Sequence, residues 1–164
     1  MTDFFIKAKQ HFQKNLPFVI YKKPNSELIN GLFQNDDKLN FSQNLSEIGF
    51  VFTSFDGNKK ILIPKNNSEE IIAHFKPEVY QLNSKIESNF NPTDKNNFEF
   101  LVSKAIQEIE NNSFSKVVLS RKEILKISSL DIIETFKRLL QKYDNAFVYV
   151  WFHPKVGLWM GATP

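Results

Sequence analysis

Residues 146–152 read AFVYVWF, seven positions of which all are apolar or aromatic. A strand with one wet face alternates apolar and polar side chains, because successive side chains point to opposite faces. This run has no polar alternation, as expected of a strand covered on both faces. Pro154 and Lys155 turn it into a second run, VGLWMGATP, at 156–164.

The remaining elements are arranged around this strand. Residues 3–14 have helical spacing, with Phe4, Phe5, Ala8 and Phe12 near one face, and Pro17 stops the helix. Strands are predicted at 19–23 and 28–34 and, most clearly, at 48–55 and 59–64. Asp56-Gly57-Asn58 joins the last two as a hairpin turn, where glycine tolerates positive φ. Residues 65–92 are polar and asparagine-rich, and a boundary is placed near 90. A helix follows, capped by Thr93 or Asp94, with Phe98, Leu101, Val102, Ala105, Ile106 and Ile109 on its apolar face. FSKVVLSRKEILKI at 114–127 is read as a strand. Asp131 opens a third helix, with Glu134 completing a capping box and Ile133, Phe136, Leu140 and Tyr143 buried. Strands early, then helix, strand, helix, strand and strand, favour an α+β fold over a doubly wound sheet.

Seventeen phenylalanines in 164 residues supply large apolar side chains for a core. With no cysteine, disulfides, thiolate metal sites and a cysteine nucleophile are excluded. The N-terminus lacks the apolar core of a secretory signal, and no stretch reaches the roughly 18 apolar residues of a membrane helix. A cytoplasmic location is the expectation. The net charge of +3 comes from scattered lysines. They form no block of like charge, so neither a nucleic-acid nor a membrane partner is expected.

Several chemistries are absent. The five glycines, at 31, 49, 57, 157 and 161, make no phosphate-binding loop. His11, His74 and His153 lack metal-ligand spacing and are read as surface or structural residues. Asp36-Asp37 and Glu69-Glu70 are adjacent pairs, which do not face the same way. Ser54 and Ser120 have no histidine signal nearby.

Lys116 is the residue with chemical promise. On a strand it shares a face with Phe114, Val118 and Ser120, while Ser115, Val117, Leu119 and Arg121 take the other. In a central strand its amine is desolvated, which disfavours the ammonium and makes a general base. A strand-end lysine whose amine reaches solvent is the ordinary alternative on composition alone. Arg121 is read as a structural ion-pair partner with some capacity to bind carboxylates, and Trp151 and Trp159 are read as core.

FSKVVLSR resembles the lysine-bearing strand of the chorismate-utilising enzymes, most closely the isochorismate synthases of menaquinone and siderophore biosynthesis. VGLWMGATP is similar to the same family's Gly-Ala-Thr/Ser-Pro-Glu segment. The two occur in the family's order, Lys116 lying 48 residues before Pro164. The resemblance implies the N-terminal part of the chorismate-binding, anthranilate synthase component I-like fold, a mostly antiparallel sheet with packed helices. Residues 1–90 are then a divergent strand-rich segment, and 91–164 the start of the catalytic domain.

The resemblance also implies chorismate as substrate and Lys116 as general base. Gly161, Ala162 and Thr163 lie near the pocket, where small residues let a ring approach the backbone. The general-acid glutamate is expected directly after Pro164. Magnesium is implied for the full-length enzyme, its ligands further on and none in this chain. Such a fragment is expected to be inactive alone, with exposed strand edges through which it self-associates. Salicylate synthases share the lysine. Anthranilate and aminodeoxychorismate synthases, which use ammonia, typically carry another residue there. A non-catalytic binding domain is the alternative from another class.

Overall fold

A computed structural model describes residues 2–76, 92–124 and 129–163. The chain forms two compact units, one of residues 1–80 with 130–164 and one of residues 81–129. The boundary expected near 90 lies outside the described residues.

The first unit is built on a five-stranded antiparallel sheet. Its strands are β1 (Phe18–Lys22), β2 (Leu28–Gln34), β6 (Ser68–His74), β7 (Phe147–His153) and β8 (Gly157–Thr163), in the order β6-β2-β1-β7-β8. Strands from both ends of the sequence therefore meet at β1, which pairs Phe18 with Phe33 on one side and with Phe152 on the other. The apolar run at 146–152 is β7, and it is covered on both faces as its composition requires. Val148, Val150 and Phe152 enter one core cluster with Phe18, Ile20, Ile29 and Phe33. Helices α1 (Thr2–Gln13) and α3 (Ile132–Lys142) close that side through Phe4, Phe5, Ala8, Ile132, Ile133, Phe136 and Leu140. Trp151 enters a second cluster on the opposite face with Val19 and Leu32.

That second face is covered by a smaller sheet of β3 (Asn40–Phe41), β5 (Lys60–Pro64) and β4 (Gly49–Thr53), in that order. Ile61 and Ile63 supply its buried contacts, and Phe52 stacks on Trp151 with ring centroids 4.7 Å apart. The β4–β5 hairpin turns where predicted. Gly57 takes φ +72°, and the Asp56 carboxylate accepts from the backbone N–H of Asn58 at 3.2 Å. An α+β fold with antiparallel sheets and packed helices is what the described residues form.

Several expectations need correction. Residues 114–124 form no strand, and the rest of that predicted strand, 125–127, lies outside the described residues. A β-branched apolar run such as Val117-Val118-Leu119 licenses a strand only where a partner strand supplies hydrogen bonds, and none pairs here among the described residues. Helix α2 (Pro92–Glu110) begins at Pro92, so Thr93 and Asp94 fall inside its first turn rather than at its cap. Proline is well suited to that first turn, where its missing N–H leaves nothing unpaired. The apolar face of α2 is mostly exposed, with only Ala105 buried. Tyr143 is the C-cap of α3 and exposed rather than buried. Strands β3 and β6 were not predicted. In β6, Ile71 and Ala73 pack on the core while Glu69, Glu70 and His74 are exposed, an edge pattern too polar to stand out.

Candidate functional site

Strand β8 carries Gly161, Ala162 and Thr163 at the edge of the large sheet, hydrogen-bonded to β7. The hairpin register pairs Tyr149 with Gly161, Val148 with Ala162 and Phe147 with Thr163. Alternation then separates the three expected site residues. Gly161 and Thr163 share the face that carries Trp159, whereas Ala162 points to the helical side and packs against the main core. Thr163 is exposed.

The room left by Gly161 is already occupied. A Cβ built at Gly161 would lie 2.8 Å from Tyr149 Cε1 and 3.0 Å from its hydroxyl oxygen. A small residue here does admit a ring to the backbone, and that ring is the protein's own Tyr149. Burial pushes the tyrosine hydroxyl above its usual pKa of 10.0, which keeps it protonated at neutral pH. Beside it, Trp159 is 51% exposed and leans on Phe52 at 5.8 Å. Trp151 is fully buried, as expected, but Trp159 is not core. An edge strand's outward aromatic is covered only by whatever crosses it, here Phe52 alone among the ring contacts of the described residues.

Lys116 belongs to the second unit. Helix α2 ends in a turn at Asn112, whose φ of +59° reverses the chain. The segment that follows has no regular secondary structure and is largely exposed. Lys116 is exposed, and Val118, its neighbour on the predicted face, is 83% exposed. The dry strand environment predicted for this amine is therefore not seen among the described residues. Further along, Ser120, Arg121 and Lys122 line a cleft of about 220 Å³ with Asp94, Asn97, Phe98 and Leu101 of α2. Arg121 pairs with Glu123 at 3.3 Å, the structural role predicted for it, although the opposite-face argument falls with the strand.

The histidines are resolved individually. His74 is exposed on β6. His11 is buried, and its Nε2 donates to the Gln34 carbonyl at 2.8 Å. His153 is fully buried at the β7–β8 turn, where Nε2 donates to the Lys38 carbonyl at 3.4 Å and Nδ1 accepts from the Lys155 N–H at 3.2 Å. Burial lowers the pKa of both rings, partly offset by those backbone carbonyls. Among the described residues no group of three or more histidine and acidic side chains is placed to hold a metal. No described helix is long and apolar enough to cross a membrane. A second concavity, about 480 Å³, lies between Glu47, Ile48, Leu62, Pro64, Lys65 and Asn66 of the first unit and contains none of the predicted residues.

Two residues escaped prediction. Lys22 is only 4% exposed, and its amine donates to the Asp144 carbonyl just past the end of α3. Nothing in KK at 22–23 marks which lysine turns inward. Tyr149 was legible in principle, since a hairpin turning at Pro154–Val156 places it opposite Gly161.

A family model described as chorismate binding enzyme matches residues 48–164, more than half of the chain. The match takes in both the segment around Lys116 and strand β8. No curated protein and no solved structure gives a significant match.

Proposed function

The chain belongs to the chorismate-binding enzyme family, and on that premise we propose that it serves the conversion of chorismate to isochorismate, with Lys116 as general base. The observation that carries this reading is a lysine at position 116 within FSKVVLSR, inside the matched span. Water is a poor nucleophile until a base takes its proton. Ammonia attacks without that help, and the ammonia-using relatives typically carry another residue at this place.

The neutral Lys116 amine takes a proton from water as the oxygen attacks ring carbon 2. The ring double bonds shift, and the hydroxyl on carbon 4 leaves as water once protonated. One water is consumed and one released. The resemblance assigns that second proton to a glutamate following Pro164. The same resemblance implies that Gly161, Ala162 and Thr163 lie near that glutamate and that the Arg121 guanidinium suits a substrate carboxylate. A base must be neutral, and desolvation is the physical route to a neutral amine. For Lys116 to serve, the segment 114–124 must therefore be covered when chorismate is bound.

The test is Lys116→Ala in the enzyme that carries this chain. Loss of a general base lowers turnover by about 10²- to 10⁴-fold. An unchanged circular dichroism spectrum shows that the fold is intact. Wild-type turnover by the variant would remove the assignment. Salicylate and pyruvate in place of isochorismate would identify the lysine-sharing branch that eliminates pyruvate.

A further inference from the structure

We infer that Tyr149 is a positioning residue for the chorismate reaction, its ring seated on the main chain at Gly161 and fixing the course of β8 into Thr163. The inference rests on the reading that Gly161–Thr163 border the reacting substrate.

Among the described residues strand β8 is at the edge of its sheet and takes its strand hydrogen bonds from β7. Its path is then set by that ladder and by side chains that reach across it. Tyr149 does so at close quarters, its ring atoms 2.8–3.0 Å from where a Cβ at Gly161 would stand. The ring is itself held from two sides. Phe147, on the same strand, lies 6.1 Å away and Phe52, on the smaller sheet, 6.0 Å away. Force applied at Gly161 thus meets a braced aromatic rather than a free side chain. Thr163 is two residues on, about 7 Å along a strand. A displacement at Gly161 passes directly to the end of β8, where the site residues stand.

An aromatic ring over a cross-strand glycine also stabilises the pairing of the strands. Positioning predicts more than that. In the enzyme that carries this chain, Gly161→Ala should lower kcat by about 10- to 100-fold, the cost of a misplacement near 1 Å, with little change in KM. In a Tyr149→Ala background the added methyl meets open space, so the same substitution should cost less than about threefold. Tyr149→Phe keeps the ring and should retain kcat within about twofold. Equal losses from Gly161→Ala in both backgrounds, or full kcat in Tyr149→Ala, would overturn the inference. Tyr149→Leu, which keeps apolar bulk without a flat ring, replaces Tyr149→Ala if the latter does not fold.

The assay separates this inference from the reading beneath it. A wild-type product other than isochorismate removes the reaction assignment, while the coupling is still measured in that product. If no chorismate is consumed, amide exchange at Ala162 and Thr163 decides. Exchange should be about tenfold faster in Tyr149→Ala and unchanged in Tyr149→Phe. Equal exchange in wild type and both variants contradicts the inference.

Discussion

At Gly161 the space of a missing side chain is filled from across the hairpin by Tyr149. The glycine is visible in the sequence, but what fills its space depends on register, and register is a property of two strands. His11 and His153 make the same point. Their lack of metal-ligand spacing read them as surface or structural residues, without saying that both rings would be buried as neutral donors to backbone carbonyls. That burial has a pH consequence. Both pKa values lie below the ordinary 6.5 because burial disfavours the charged ring. The unfolded chain therefore takes up protons first as pH falls. Stability should be level above about pH 6.5 and should fall as the pH drops through the folded-state values. Protonating Nδ1 of His153 also removes the acceptor for the Lys155 N–H. Urea midpoints measured from pH 8 to pH 5 check this, and His153→Gln should flatten part of the slope. A midpoint that rises on acidification would contradict it.

At the scale of elements, local signals succeeded where the partner is also local. Asp131 caps α3 as expected, its carboxylate accepting from the backbone N–H groups of Ile133 and Glu134, each at 3.0 Å. The reciprocal half of the predicted box is not made with Glu134, whose carboxylate instead takes Lys137 at 3.0 Å. Asp131→Ala should cost about 1 kcal/mol, read as a lower urea midpoint, because two N–H groups at the start of α3 lose their acceptor. No change in midpoint would show that water replaces the carboxylate without loss. The β4–β5 hairpin was legible for the same reason, since its turn residues lie within its own few positions. The segment 114–124 was not. Its pattern is that of a strand, but pairing is decided by distant sequence, and among the described residues nothing pairs with it. Helix α2 repeats the lesson. Periodicity marked an apolar face correctly and could not say whether anything lies against it.

At the scale of the molecule, one run of seven apolar residues was enough to require cover on both faces. The large sheet meets this with two helices on one side and a three-stranded sheet on the other. Fold class followed from element order, and the family from two short motifs and the match across 48–164. The environment that would make Lys116 a base was not legible, because a lysine's solvation is set by everything packed around it. The central claim concerns which nucleophile meets the ring. Product analysis with chorismate and magnesium, with and without ammonia, tests it most directly on the enzyme that carries this chain. Isochorismate formed at the same rate in both conditions is the predicted result, whereas an aminated product that appears only with ammonia would contradict the account.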